Sequence, residues 1–346
     1  TNSYTYIRRI LAETLCSFPP QTALPLLEKL TNDQDYGVRL DVAHSLASFP
    51  AEKTLPLLKK LSTDRDPIVR EAVAKSLASF PPEKALPILK KLVTDPSNNV
   101  RLAVTKALVS LPPEQALPLL KKLSSDPSYD VRRAAAKSLA SFPSKNALPL
   151  LEKLSNDPEH YVREVVAKSL ASFPPEKALP LLRKLSKDRS EDVRRDVAKS
   201  LVSFPTEESL LILENLSIDP NDYVRLDLAH SLASFPTEKA LPLLKNLSAD
   251  PNYNVRLAVV KSLTSFPPEI ALPLLEKLSN DSESGVRQAA QNTLLSSFLP
   301  HLLKDAIARE DARTIFDLLG RFPVVTSCLK FEYDLNPTPF LKRMVS

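Results

Sequence analysis

The chain of 346 residues has no tryptophan, one methionine, two cysteines, three glycines and four histidines. So little glycine makes an all-β fold hard to build, because tight hairpin turns draw on residues free to adopt positive φ. Cys16 and Cys328 are too few and too far apart for a disulfide framework, a usage that suits a reducing compartment. No run approaches the roughly 18 apolar residues of a membrane span, and no basic-then-apolar leader opens the chain. The expectation is a cytoplasmic protein with no membrane partner. No Cys/His cluster, phosphate-cradling glycine loop or nucleophile elbow is present either. His44 and His230 share a repeat register but lie six repeats apart, on the order of 50–60 Å at ~8–10 Å per layer, too far to share a metal. No catalytic residue, metal ligand or cofactor is assigned, and a non-enzymatic protein is expected.

Proline, by contrast, is abundant at 32 residues, and it recurs at fixed intervals. A Val-Arg pair stands at Val38, Val69, Val100, Val131, Val162, Val193, Val224, Val255 and Val286, with Ile7-Arg8 one step earlier, so the period is 31 residues. A fixed period in this range marks stacked repeats, each a supersecondary unit that buries its apolar face only against its neighbours. One elongated unit is expected. Basic residues exceed acidic ones by 46 to 41, a net charge of +5 that is compatible with an acidic partner.

Each repeat holds two helical patterns. Helix A is predicted over Pro82–Leu92 and its equivalents, opening after Phe80-Pro81, with Thr206 and Thr237 as N-caps where the second proline is replaced. A further proline lies inside helix A at Pro25, Pro56, Pro87, Pro118, Pro149, Pro180, Pro242 and Pro273. Helix B is predicted from about Pro96 to Ser110, with Asp95, Asp126, Asp157, Asp219 and Asp250 as N-caps directly before a proline at the first helical position. At about 100° per residue, Val69, Val73, Leu77 and Phe80 share one stripe, which is core. The Phe series, Phe18, Phe49, Phe80, Phe142, Phe173, Phe204, Phe235 and Phe266 with Leu111 substituting once, is expected to form an internal column.

Two constant charges frame helix B. The aspartates Asp64, Asp95, Asp126, Asp157, Asp188, Asp219 and Asp250 are each followed six residues later by Arg70, Arg101, Arg132, Arg163, Arg194, Arg225 and Arg256. A guanidinium about 60° off the core stripe reaches the neighbouring repeat, where it bridges carboxylates and carbonyls. These residues are expected to form a structural ladder. Proline in helix A, aspartate eight residues on, then Val-Arg (Pro87, Asp95, Val100, Arg101) resembles the HEAT-repeat pattern over residues 7 to about 290, in a short form of that repeat. The resemblance implies an all-α fold: a right-handed α-α superhelix, or α-solenoid, of antiparallel helix pairs with a 31-residue period. It also implies that B helices line a concave face.

Residues 1–18 read as an incomplete first repeat with helix B only, 19–298 as the repeat array, and 299–346 as C-terminal capping helices and tail. An array that starts within a repeat would leave an apolar face open, so additional N-terminal sequence of the same polypeptide is expected. After Arg287 the register slips by one residue, to Phe298.

The outer side of helix B, about 200° from the core stripe, carries a basic column: His44, Lys75, Lys106, Lys137, Lys168, Lys199, His230 and Lys261. Two readings stand: a solubilising lysine copied by duplication, or an electrostatic track for phosphate or acidic peptide. One turn earlier the row varies, with Leu40, Leu102, Arg133, Arg195, Leu226 and Leu257 among its members. Exposed leucines there, near Val109 and Val202, would form apolar patches, and Glu71–Lys75 and Glu164–Lys168 would cancel the column locally. Tyr36, Tyr129, Tyr161, Tyr223 and Tyr253 are placed just before helix B, where either contacts at one rim of the face or ordinary loop packing would account for them. The leading expectation is a scaffold or sensor segment of a larger protein that binds a protein partner on this face. The alternative is a nucleic-acid-binding array that uses the lysine ladder. A base-excision version resembling the HEAT-like DNA glycosylases is disfavoured because their pocket aromatics include tryptophan.

Overall fold

The computed structural model describes residues 2–298 together with positions 306, 309 and 314. Apart from those three positions, the C-terminal capping helices and tail expected over 299–346 lie outside the described residues. The chain divides into two compact units, Thr1–Leu185 and Ser186–Ser346. The first unit holds α1 (Asn2–Thr14), α2 (Pro20–Leu30), α3 (Tyr36–Ser45), α4 (Ala51–Leu61), α5 (Pro67–Ser76), α6 (Pro82–Leu92), α7 (Asn98–Ala107), α8 (Pro113–Leu123), α9 (Tyr129–Leu139), α10 (Ser144–Leu154), α11 (His160–Leu170) and α12 (Pro175–Leu185). The second holds α13 (Glu191–Leu201), α14 (Glu207–Leu216), α15 (Asp222–Ser231), α16 (Thr237–Leu247), α17 (Tyr253–Leu263), α18 (Pro268–Leu278) and α19 (Ser284–Thr293). Within each unit the odd-numbered helices pack on one another in chain order and the even-numbered helices form a second layer beside them. The described fold is all-α, an α-solenoid of paired helices.

Helix A begins and ends where the prolines and leucines place it; α6 spans Pro82–Leu92. The interior proline is tolerated because its register faces solvent: Pro56, Pro87, Pro118, Pro149 and Pro180 are all exposed. The carbonyl left without an amide partner four residues earlier is therefore open to water. In α14 the proline is replaced by exposed Leu211, and Thr206 caps the helix in a capping box with Ser209. Thr237 departs from the expectation. It is the first residue of α16, and Pro236 takes the N-cap position.

Helix B buries its stripe as its periodicity requires: Val69, Val73, Leu77 and Phe80 are all buried. A short 3-10 turn follows, Leu77–Ser79 after α5, before the chain turns back at Phe80. The Phe column is buried from Phe49 to Phe266, but Phe18 is 52% exposed, contrary to expectation, because among the described residues its helix packs only against the layer that follows. The late register slip also has a physical form. After α19 the turn is a five-residue π-helical segment, Leu294–Phe298, which absorbs the extra residue and keeps Phe298 buried.

The aspartates before helix B are not its N-caps. The helices start later, at Asn98, Tyr129, His160, Asp222 and Tyr253, and Asp95 Oδ1 instead accepts the Ser97 amide at 2.9 Å in a turn two residues upstream of the helix. Each such carboxylate is already claimed by an arginine. Arg70 donates from Nε and Nη2 to Asp95 at 2.7 and 2.8 Å, while its Nη1 donates to the carbonyl oxygen of Asp64 at 2.7 Å. The same fork joins Arg39 to Asp64, Arg101 to Asp126 and Arg132 to Asp157 in the first unit. In the second it joins Arg194 to Asp219, Arg225 to Asp250 and Arg256 to Asp281. Arg163 is buried and donates to the carbonyl oxygens of Asp157 and Pro158, and Asp188 accepts the Ser190 amide at 2.9 Å.

A second set of bonds between B helices gives no hydrophobic signal in the sequence. Ser45 donates to the Ala12 carbonyl oxygen at 2.6 Å, Ser76 to Ala43 at 2.8 Å, Ser169 to Ala136 at 3.1 Å and Ser262 to Ala229 at 2.6 Å, all buried. All four carbonyls lie in the last turn of their helices, α1, α3, α9 and α15, where the final carbonyls lack an amide partner one turn on, so the hydroxyls satisfy acceptors at helix ends while tying neighbouring B helices together.

Truncating a fork should cost about 1.5–3 kcal/mol, the range for hydrogen bonds to charged groups. Arg132→Ala is therefore expected to lower the denaturant midpoint clearly, whereas exposed Lys90→Ala should change stability by less than about 0.5 kcal/mol. The forks also set the acid limit. Burial pushes the Asp64 carboxyl up, but the Arg39 hydrogen bonds and the Asp66 amide together hold it below the usual carboxylate value; at Asp281 the Arg256 hydrogen bond leads and burial opposes it. A carboxyl held low in the folded state adds stability above its unfolded pKa and loses it as pH falls through the folded value. Thermal unfolding followed against pH is expected to lose stability below about pH 4, near the unfolded carboxylate range. Asp64→Asn should be less stable at neutral pH and show a shallower acid decline.

Candidate functional site on the B-helix face

The basic column expected on helix B does not exist in one electrostatic state. Lys75 Nζ lies 2.6 Å from Glu71 one turn earlier. In the second unit Lys199 pairs with Asp227 at 2.9 Å, and Arg195 pairs with the same carboxylate at 2.6 Å and with Asp192 at 3.0 Å. The Arg195 guanidinium also lies 5.7 Å from the centre of the Tyr223 ring. Burial works against the Arg195 charge, but the hydrogen bond to Asp227, aided by Asp192, outweighs it and raises the pKa above its ordinary value.

The rest of the face is built by α7, α9 and α11. They frame an open groove of about 720 Å³ that brings together Leu102, Lys106, Arg133, Lys137 and Lys168, with Asp130, Ala134 and Val165 in its lining. Leu102 and Val165 are half-buried, whereas Lys106, Arg133, Lys137 and Lys168 are exposed. Lys106, Arg133 and Lys137 make no ion pair among the described residues. Four cations and one carboxylate in a groove with aliphatic walls attract negative charge and also offer apolar contact.

His44, Lys261 and His230 are exposed at equivalent positions but line no part of this groove. The leucines depart from the expectation of exposed patches: Leu40, Leu102, Leu226 and Leu257 are half-buried, because neighbouring B helices pack close enough to cover much of each side chain. The tyrosines are exposed, and Tyr129 stacks on Tyr161 with ring centroids 6.0 Å apart. His160 Nε2 lies 3.8 Å from the Glu164 carboxylate one turn on.

Sequence reasoning missed one relation. Arg9 donates from Nε to Asp41 at 2.7 Å, and Arg195 donates to Asp227 at 2.6 Å, each pair 32 residues apart. That separation is one repeat plus one residue, a spacing a search at 31 alone overlooks.

A profile of HEAT repeats matches residues 1–78, 56–140, 118–202, 147–233 and 209–294. The chain belongs to the HEAT-repeat family. Among solved structures this HEAT array is similar to an engineered protein at 21% identity, covering 83% of this chain and 93% of that one with a TM-score of 0.42. It is also similar to the YibA protein of Escherichia coli at 18% identity, covering 77% and 98% with a TM-score of 0.48. No curated protein matches it. No helix among the described residues of the array is long and apolar enough to cross a membrane.

Asp227 holds two half-exposed or exposed cations, so Asp227→Ala is expected to cost only about 0.2–1 kcal/mol, the range for exposed pairs. A loss as large as that of Arg132→Ala in the same denaturation experiment would show that this carboxylate carries the weight of a ladder member.

Proposed function

We propose that this chain is a non-enzymatic HEAT-repeat scaffold that binds another protein on its B-helix face. The observation that carries this reading is the uneven state of the lysine column. Cations at Lys75 and at Arg195 with Lys199 are answered by the chain's own carboxylates, while Lys106, Arg133 and Lys137 converge in one groove with aliphatic walls. A surface that changes from repeat to repeat over a constant frame suits recognition of one irregular partner. Repetition of one charge would suit a regular polyanion. The candidate partner-binding residues that this observation supports are therefore Leu102, Lys106, Arg133, Lys137 and Lys168, all in the first unit.

Nucleic acid is the alternative, supported by the meeting of Lys106, Lys137 and Lys168 in the groove. A phosphate-binding face makes affinity fall steeply with salt, because each neutralised phosphate releases counterions with a slope near −0.9 per contact. Binding to duplex and single-stranded DNA should be measured from about 50 to 200 mM salt, for the parent and for the variant with Lys106, Lys137, Lys168 and Lys199 changed to Glu. The expected outcome is weak binding that the four substitutions barely alter. Tight, steeply salt-dependent binding abolished by the charge reversal would replace the protein partner with nucleic acid.

A further inference from the structure

The row one turn before the lysine column contains three arginines, Arg9, Arg133 and Arg195. Two have a carboxylate 32 residues later on the next B helix and are locked to it, Arg9 to Asp41 and Arg195 to Asp227. Arg133 has Val165 at that position, a half-buried aliphatic side chain that lines the groove with it. The same backbone register therefore presents a guanidinium with its internal acceptor removed. Asp130, placed as Asp192 is to Arg195, makes no ion pair with Arg133, although Asp192 pairs with Arg195 at 3.0 Å.

We propose that Arg133 binds a side-chain carboxylate of an acidic peptide segment laid in the groove, the ligand's carboxylate taking the position that Asp41 and Asp227 hold for Arg9 and Arg195. The planar guanidinium suits a carboxylate because its paired N–H groups match the two oxygens. Lys106 and Lys137 add positive charge on the same surface, and Leu102, Ala134 and Val165 supply apolar contact that a phosphate backbone would not use. The positive stretch is also short, since Lys75, the next lysine of the column, is tied to Glu71. A peptide that alternates glutamate with aliphatic residues meets both features.

The inference rests on the reading of this face as a protein-binding surface, and its test separates the two. A fluorescein-labelled peptide of alternating glutamate and leucine is titrated by anisotropy with the parent, Arg133→Gln, Val165→Asp, Asp130→Asn and a control at Lys90→Gln. Val165→Asp should supply the missing acceptor, and both it and Arg133→Gln should weaken binding about tenfold or more. Asp130→Asn should bind at least as tightly as the parent, and Lys90→Gln should match it. Val165→Asp should unfold no earlier than the parent, since Asp227 occupies the same position beside Arg195. Arg133→Gln, at an exposed site, keeps the test intact should the buried edge of Val165 reject a carboxylate. No binding by the parent, or unchanged binding by either groove variant, overturns the inference while leaving the wider protein-binding face standing. Single-stranded oligothymidine that displaces the peptide and shows the same dependence on Arg133 would overturn both.

Discussion

Each stacked repeat depends on one shared carboxylate. The aspartate that ends the A-to-B turn accepts a guanidinium fork from the preceding helix B and, through the same Oδ1, the amide of the residue two positions on. The arginine in turn holds a carbonyl of its own turn. Neither charge is worth burying alone, because taking either out of water without its partner costs several kcal/mol. Together they fix where helix B begins, how far the next helix B stands from it and which way its apolar stripe faces. The Phe column and the serine bonds between B helices operate inside that frame. At this close spacing, the leucines of the outer row are half covered.

The frame was readable from spacing because it repeats. Val69, Val73, Leu77 and Phe80 announced the buried stripe, and Phe80-Pro81-Pro82 marked the start of helix A. Where two functions compete for one group, the sequence pattern misleads. Asp95 has the chemistry of an N-cap, but its Oδ1 is shared between the Arg70 guanidinium and the Ser97 amide of the turn, and Ser97 takes the N-cap position instead. Ser76 is silent in any hydrophobic pattern, and its bond to the Ala43 carbonyl follows only from how closely two helices approach. The one-residue slip at Phe298 was legible as a number; the π-helical turn that absorbs it required the backbone.

The candidate site was less readable for the same reason. A column of lysines at identical repeat positions suggests one surface, but the charge each lysine presents depends on acids elsewhere. Glu71 answers Lys75 from one turn away on the same helix, a relation visible in the sequence. Asp227 answers Arg195 and Lys199 from the next helix, a relation that runs one residue past the period. Convergence of Lys106, Arg133 and Lys137 in one groove emerges only when three helices are set side by side.

A bond that crosses a repeat boundary has a consequence for how such a chain changes over generations. Every ladder fork joins the same two positions, so a repeat can be gained, lost or moved as a whole block and the new junction still forms. The outer row obeys a different rule, because an arginine in one block is answered or left open according to what stands first in line in the following block. Rearranging unaltered blocks therefore rewrites the charge the surface offers without a single substitution. In this chain the order of the repeats carries information of its own, separate from their composition.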